Sequence, residues 1–211
     1  MYQNSYRGKF IAFEGLDGSG QSTESSLLYD FLKDQGVNVL LTKEPTSESP
    51  IAQDIDKYLK EEGSIEPEEL QRLFAQDRKW HLDNVIIPSL KQGIFVISDR
   101  YFFSSLAYGS LSINLNLLLE INQDFILPDL TIFLDVRPEI CIQRIQNRGG
   151  DKTLFEKLNK LEDVYKNYKK ILPTFPNVVF INGERTIGDV FEDIKKVVLE
   201  KFPEIRERYN S

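Results

Sequence analysis

Short apolar segments alternate with longer amphipathic segments along the whole chain. The apolar segments are rich in β-branched and aromatic residues, as is typical of strands that are buried on both faces. We place five such strands at Lys9–Glu14, Asn38–Thr42, Ile94–Asp99, Leu130–Val136 and Val178–Ile181. The segments between them carry apolar residues at helical spacing, for example at Leu28, Phe31 and Leu32. The alternation predicts an α/β fold, a three-layer sandwich with helices on both faces of a five-stranded parallel sheet.

A glycine-rich stretch follows the first predicted strand, at the end of a parallel sheet where ligands bind. It reads Gly15-Leu16-Asp17-Gly18-Ser19-Gly20-Gln21-Ser22-Thr23, and a helical segment begins at once. Glycines permit positive φ, so successive backbone N–H groups can point into one cavity, and the helix N-terminus adds partial positive charge. The stretch therefore predicts an anion cradle, formed by Gly15, Gly18, Ser19, Gly20, Gln21, Ser22 and Thr23.

This stretch matches the phosphate-loop pattern G-x-x-x-x-G-K-[ST] at every defined position except the lysine. Gln21 stands at the lysine position, and Ser22 stands where a hydroxyl group binds Mg²⁺. A glycine-rich turn that binds no ligand is the structural alternative.

A second alternative is a dinucleotide-binding loop of the form G-x-G-x-x-[GA]. Gly18 and Gly20 would be its first two glycines, and Glu44, after the second strand, would bind the ribose. This interpretation places Thr23 where a small residue is needed. It also leaves Gly15 and Ser22 unexplained.

Charged residues follow two other predicted strands. Lys43 places a cation beside the cleft after the second strand, and Asp99-Arg100 follows the third. Asp99 is placed to hold hydrated Mg²⁺, and the planar guanidinium of Arg100 suits a phosphate group. A plain ion pair between Asp99 and Arg100 is the structural alternative.

One predicted helix carries Phe74 and Arg78, which are four residues apart and therefore lie on one face. The aromatic ring would stack on a nucleobase, and the guanidinium would donate hydrogen bonds to the edge of that base. The alternative is a core phenylalanine beside an arginine that reaches out to solvent. We assign no role to His81, which follows on the same helix.

Arg144 and Arg148 lie on the helix after the fourth strand, and Gly149-Gly150-Asp151-Lys152 follows them. Glycines beside several cations predict a mobile lid, at about residues 144–156, that places positive charge over a transferring phosphoryl group. A basic helix end that complements the helix dipole is the alternative.

Composition narrows the possible functions. The 211 residues predict a single domain over residues 1–211 with its core at about 9–200. One cysteine and one histidine exclude the usual zinc cages, so any metal must be a hard cation held by oxygen atoms. A net charge of −7 is the wrong sign for nucleic-acid binding. The absence of a long apolar run and of a signal-peptide core predicts a cytoplasmic protein without membrane attachment.

Six segments in the same order resemble the motifs of the thymidylate kinase family, from Phe10 to about Val198. The family motifs are F-E-G-x-D-G-x-G-K-x-T, R-E-P, F-A-x-D-R, D-R-[YFH]-x-x-S-S-x-A-Y-Q, P-D-L-T-x-x-L-D-V and R-I-x-x-R-G. The corresponding segments here are Phe13–Thr23, Lys43–Pro45, Phe74–Arg78, Asp99–Gly109, Pro128–Val136 and Arg144–Gly149. The resemblance implies a P-loop NTPase fold with a helical lid.

The resemblance also implies a set of contacts with the substrate dTMP. They are Asp17 with the sugar 3′-hydroxyl, Phe74 stacked on thymine, Arg78 at the base edge, Arg100 with the monophosphate, Ser105 near the base and Tyr108 beneath the deoxyribose, with Lys43 lining the same site. Gly18 suggests the bacterial-like subtype, whose catalytic cations lie in the lid, as Arg144 and Arg148 would.

We therefore expect a homodimeric kinase that transfers the γ-phosphoryl group of ATP to dTMP with Mg²⁺. Arg100, Arg144, Arg148 and Gln21 would form the catalytic set. Gly109 stands where the family pattern has glutamine, a difference that bears on base selectivity. Because Gln21 replaces the loop lysine, the alternative is a catalytically weak or silent nucleotide-binding protein on the same scaffold.

Overall fold

The computed structural model describes residues 1–60, 64–148 and 154–205, with the backbone alone at residues 154–157. Its main sheet has five parallel strands, β2 (Phe10–Gly15), β3 (Val39–Lys43), β4 (Phe95–Asp99), β6 (Leu130–Asp135) and β7 (Val178–Asn182). They lie side by side in the order β3-β4-β2-β6-β7. The predicted α/β fold with a five-stranded parallel sheet is confirmed, and each strand lies within one residue of its predicted bounds.

Helices cover both faces of this sheet. Their bounds are α1 (Gln21–Asp34), α2 (Ala52–Leu59), α3 (Pro67–His81), α4 (Ile87–Lys91), α5 (Phe102–Gly109), α6 (Leu115–Ile121), α7 (Pro138–Asn147), α8 (Leu154–Ile171) and α9 (Ile187–Lys201). A π-helical segment (Leu82–Ile86) joins α3 to α4, and a 3₁₀ turn (Leu172–Thr174) follows α8. None of the helices in the described ranges is long and apolar enough to cross a membrane.

The core is divided by the sheet into two apolar layers. Ile11 and Phe13 of β2 pack with α1 and α9 on one face, whereas Phe10 and Ala12 pack with the helices on the other face. Successive side chains of a strand point to opposite faces, so a strand covered on both sides is apolar over most of its length. This requirement explains why the strands appear as continuous apolar runs in the sequence.

A second, two-stranded parallel pair lies outside the main sheet. It consists of β1 (Tyr2–Gln3) and β5 (Ile126–Leu127). Strands of two residues are too short to show a period, so the hydrophobic pattern does not predict them.

The register of the main sheet brings the predicted site together. Asp99, the last residue of β4, pairs with Phe13 of β2 on one side and with Lys43 of β3 on the other. Parallel strands end at the same edge of the sheet, so Lys43, Asp99 and the loop after Gly15 become neighbours. The predicted segment Gly149-Gly150-Asp151-Lys152 lies outside the described residues.

Candidate active site

The glycine loop has the backbone that its sequence requires. Gly18 and Gly20 have φ values of 87° and 103°, in the left-handed region that favours glycine. A Cβ on Gly18 would lie 2.6 Å from the carbonyl oxygen of Cys141 on α7. The backbone N–H groups of Thr23 and Glu24 both donate to Gly20 O at 3.0 Å, so the loop leads directly into α1.

Two buried polar atoms in this loop have no hydrogen-bond partner among the described residues. They are Ser19 Oγ and Gln21 Oε1. Gln21 is only 7% exposed, and a Cβ on Gly15 would lie 3.2 Å from its Oε1 atom. Buried polar atoms are normally paired, so the unpaired atoms mark a place where a polar ligand would fit.

Ser22 and Asp99 form the predicted metal-binding pair. Ser22 Oγ donates to Asp99 Oδ2 at 2.5 Å, and Lys43 Nζ lies 3.7 Å from the same oxygen. Asp99 Oδ1 is buried and has no hydrogen-bond partner within the described part of the chain. Elsewhere too, the described residues contain no group of three His, Cys, Asp or Glu side chains that could hold a metal.

This donor set fits Mg²⁺. Mg²⁺ is commonly held by one or two protein oxygens, with waters and substrate phosphates completing its octahedral shell. Ser22 would offer a hydroxyl group and Asp99 a carboxylate.

A cavity of about 650 Å³ opens beside the loop. It brings together the side chains that the sequence predicts for substrate binding, namely Asp17, Lys43, Phe74, Arg78, Arg100, Ser105 and Tyr108. Gln71 also lines this cavity and was missed. Its position on α3, three residues before Phe74, is the signal that could have identified it.

Arg100 lies at the end of this cavity that is next to the phosphate loop. Its φ is 74°, and its guanidinium donates to Gly15 O at 3.1 Å, Ser104 Oγ at 2.9 Å and Asp17 Oδ1 at 2.6 Å. It also lies 5.6 Å from the ring centre of Tyr108. Asp99 instead engages Ser22 and Lys43, so the two members of the Asp99-Arg100 pair have different partners.

Arg78 also lines the cavity and is only 3% exposed. It donates to Glu44 Oε2 at 2.6 Å, Asn122 Oδ1 at 2.6 Å and Ser105 Oγ at 3.2 Å. The guanidinium also lies 5.5 Å from the ring centre of Tyr101 and 5.6 Å from that of Phe125. The alternative of an arginine that reaches out to solvent is therefore wrong.

Glu44 is buried and engaged by protein groups. Its second oxygen, Oε1, lies 3.3 Å from Nδ1 of His81, and Nε2 of that histidine lies 2.7 Å from Thr42 Oγ1. A carboxylate held between Arg78 and His81 is not free to bind a ribose, which is evidence against the dinucleotide-binding alternative. We assigned His81 no role from the sequence, because nothing in the local pattern indicates a partner 37 residues away.

Glu14, a charged residue within the central strand β2, is fully buried. Its carboxylate accepts hydrogen bonds from the N–H groups of Tyr101 and Ser104, from Ser104 Oγ and from Tyr168 Oη. Burial raises its pKa to about 7, although Arg100 and these hydrogen bonds lower it. Glu14 therefore ties β2 to α5 and α8 directly behind Arg100.

A second cavity, of about 250 Å³, lies on the other side of the loop. Arg144 lines it and donates to Ser19 O at 3.0 Å and to Gly183 O at 2.8 Å. Arg148, at the end of α7, is exposed and lines the same cavity. Glu24 contributes a buried carboxylate there, and burial raises its pKa to about 7 while Arg144 lowers it.

The two cavities flank one loop: Asp17 lines the larger cavity, and Ser19 and Gly20 line the smaller. A parallel α/β sheet with this loop and a Mg²⁺-compatible Ser22–Asp99 pair is typical of a P-loop kinase.

Comparisons with known proteins give the same class and a family. The thymidylate kinase family profile matches residues 13–194. A probable thymidylate kinase of Pyrococcus horikoshii is 40% identical over 199 residues, which cover 91% of this chain and 96% of that protein. The thymidylate kinase of Caldicellulosiruptor saccharolyticus is 37% identical over 203 residues (91% and 96%), and that of Plasmodium falciparum 38% over 201 residues (94% and 93%). The chain belongs to the thymidylate kinase family and is a nucleoside monophosphate kinase.

We expect Glu14→Gln to reduce the pH dependence of stability. The pKa of Glu14 is about 7 in the folded chain, against an ordinary value of 4.5. At a pH between these two values Glu14 is mostly protonated in the folded state and mostly ionised in the unfolded state. The contribution of Glu14 to the free energy of unfolding is therefore present below about pH 4.5 and lost as the pH rises to about 7, by up to roughly 3 kcal/mol. Urea titrations should show the variant gaining stability relative to wild type as pH rises. A difference that is constant with pH would contradict the assignment.

We expect Arg78→Ala to lower the free energy of unfolding by about 3–5 kcal/mol, because it leaves the Glu44 carboxylate buried without its guanidinium. The double variant Arg78→Ala/Glu44→Gln should recover part of this loss in urea unfolding. Arg72→Ala is a matched control on the same helix, because Arg72 pairs with Glu68 at the surface and its loss should change little. A double variant no more stable than Arg78→Ala would show that the buried charge is not the cause.

Proposed function

We propose that this protein transfers the γ-phosphoryl group of ATP to dTMP, giving dTDP, with Mg²⁺. One observation carries the proposal. Two guanidinium groups line the larger cavity: that of Arg78, which is buried and held by Glu44, and that of Arg100, which contacts the phosphate loop at Gly15. A nucleoside monophosphate has a base at one end and an anion at the other, which matches this arrangement.

Phe74, Arg78 and Ser105 would recognise the base. The ring of Phe74 offers a plane for stacking. Arg78 keeps a fixed orientation because Glu44 and Asn122 hold it, and a fixed donor at the base edge favours bases with carbonyl groups there. These features support a thymine or uracil base.

Tyr108 and Asp17 would contact the sugar. Tyr108 Oη accepts a hydrogen bond from Asp17 N at 3.3 Å, so the phenol lies beside the phosphate loop and lines the larger cavity. In this position the ring would crowd a 2′-hydroxyl group, so deoxyribose is favoured. The Asp17 carboxylate would accept a hydrogen bond from the 3′-hydroxyl.

The donor ATP would lie along the phosphate loop and extend into the smaller cavity. Gly15, Gly18, Ser19, Gly20, Gln21, Ser22 and Thr23 would bind its phosphates, and Arg144 and Arg148 line the cavity beyond them. When bound, Mg²⁺ would neutralise charge on the transferring phosphates; Ser22 and Asp99 would hold it.

Catalysis would depend on positioning and charge, without a covalent nucleophile. Arg100 would fix the acceptor phosphate close to Gly15, where its guanidinium already contacts the loop. Arg148 would add positive charge from the other side. Arg144 donates hydrogen bonds to two backbone carbonyls, Ser19 O in the loop and Gly183 O just after β7. It would therefore hold the loop against the end of β7 and also contribute its positive charge.

A silent nucleotide-binding protein is the second candidate, and Gln21 favours it. A lysine would place a full positive charge against the β- and γ-phosphates, whereas a glutamine amide is a neutral donor. In a desolvated site the electrostatic loss could reach several kcal/mol. We favour the kinase function, in which the positive charges of Arg148 and Arg144 compensate for the charge that Gln21 lacks.

Other expectations from the sequence stay predictions. They are the homodimer, the cytoplasmic location, the single domain over residues 1–211 and the closure of a lid at about residues 144–156.

A coupled assay for ADP release tests the proposed function. We expect wild-type turnover with dTMP and dUMP at a higher kcat/KM than with dCMP, because Arg78 can donate to the carbonyl groups of thymine and uracil. If dTMP binds but no ADP forms at any Mg²⁺ or ATP concentration, the silent-binding function is correct. If dTMP does not bind at all, both functions are wrong.

Gln21→Lys and Arg148→Ala test whether Arg148 and Arg144 supply the charge that Gln21 lacks. We expect Gln21→Lys to change kcat modestly or raise it, and Arg148→Ala to lower kcat by at least about tenfold, since a lost transition-state contact commonly costs this much or more. Arg72→Ala, on exposed α3 surface, is the control and should match wild type. An unchanged rate after removal of both Arg144 and Arg148 would contradict compensation while leaving the kinase function intact.

A further inference from the structure

Gln71 belongs to the same stripe of α3 as Phe74 and Arg78. The three side chains are separated by three and then four residues, so they lie on one face of the helix. All three line the larger cavity. The face that presents an aromatic plane and a guanidinium therefore also presents an amide.

Gly109 provides the space that Gln71 occupies. A Cβ on Gly109, at the end of α5, would lie 3.1 Å from Gln71 Cδ and 2.9 Å from Leu118 Cδ2. Contacts this short would force one of those side chains to move. Because position 109 has no side chain, the amide can lie against α5 at the wall of the cavity.

The amide oxygen of Gln71 has no hydrogen-bond donor among the residues that the structure describes. Gln71 is only 7% exposed, and its Oε1 atom is buried. A buried acceptor of this kind has lost water without gaining a replacement, which costs free energy unless a ligand supplies a donor.

The other buried acceptors described around this cavity already have donors. Glu44 is engaged by Arg78 and His81, and Asp77 accepts from Ser49 Oγ at 2.5 Å and from Thr46 N at 2.9 Å. Ser105 Oγ accepts from Arg78. Among the described residues that line the cavity, Gln71 has the buried side-chain acceptor without a partner.

A pyrimidine-2,4-dione base presents the complementary chemistry. Thymine and uracil carry an N3–H donor between two carbonyl acceptors. A guanidinium donates hydrogen bonds but accepts none. Arg78 can therefore donate to a carbonyl group of the base but cannot accept a hydrogen bond from N3–H. Cytosine differs at this atom, because its N3 carries no hydrogen.

We propose that Gln71 is a specificity-determining residue whose Oε1 atom accepts the N3–H of a thymine or uracil base. This inference rests on the proposed function. Together, Arg78 and Gln71 would read the carbonyl group and the neighbouring N3–H of one base edge. A site built to pair such a donor rejects a base that lacks it, because the acceptor stays buried and unpaired.

Gln71→Leu tests the inference, because leucine keeps most of the volume and removes the hydrogen bond. Gln76→Leu is the matched control, an exposed glutamine on the same helix and outside the cavity lining. Calorimetry with dTMP and dCMP should show that Gln71→Leu weakens dTMP binding by about tenfold and changes dCMP binding by less than about twofold. Gln76→Leu should match wild type for both nucleotides, and ATP affinity should be unchanged in both variants.

A second measurement uses N3-methyl-dTMP, in which a methyl group replaces the N3–H. It tests the inference on the wild-type protein as well as on the variant. Wild type should bind this probe at least about tenfold more weakly than dTMP, and Gln71→Leu should reduce that difference. If wild type does not discriminate between the two ligands, or if Gln71→Leu keeps the wild-type dTMP:dCMP ratio, the inference is wrong. An equal loss of dTMP and dCMP affinity with a lower Tm would show a merely structural role and also overturn it.

The outcomes separate this inference from the proposed function. If wild type does not bind dTMP, the proposed function fails and the inference fails with it. If wild type and Gln71→Leu prefer dTMP over dCMP equally, the inference alone fails.

Discussion

The carboxylate of Glu14 joins the central strand to the helices that carry the site. It lies in the middle of the sheet at the end of β2 and accepts bonds from the start of α5 and from Tyr168 on α8. Those hydrogen bonds stabilise the connection from β4 to α5 at Arg100. The φ of Arg100 is 74°, which is unusual for a residue with a side chain. Arg100 in turn contacts the loop at Gly15. One buried acid thus links the strand before the phosphate loop to the helices and the arginine that line the larger cavity.

Positively charged side chains surround the two cavities although the chain as a whole is negatively charged. Its net charge is −7, yet several cations surround the two cavities, namely Lys43, Arg78, Arg100, Arg144 and Arg148. Most are held by a carboxylate or by backbone carbonyls, which fixes their direction as well as their charge. Such preorganised cations suit small phosphorylated ligands and cost little reorganisation when a ligand binds. The neutral Gln21 is the exception within this arrangement.

Much of the fold could be predicted because its physical causes are local. Strands buried on both faces give continuous apolar runs, and helices between them give a 3.6-residue period, so the five main strands were located to within a residue. The phosphate loop could be recognised because only glycine adopts the φ values of Gly18 and Gly20 at no steric cost. The two-residue strands β1 and β5 and the π-helical segment at Leu82–Ile86 have no such local signal.

The sequence by itself determined the layered architecture, the phosphate loop and the set of residues that follow the strands, because parallel strands bring their carboxyl ends to one edge. Only the tertiary structure decided which charges are paired. The partners of Arg78 are 34 and 44 residues away, and no local pattern distinguishes a buried, braced guanidinium from one in solvent. The same is true of Gln71, whose side chain faces the cavity because Gly109, on another helix, leaves the space. Long-range packing sets the burial of a polar atom, and burial decides whether that atom can recognise a ligand.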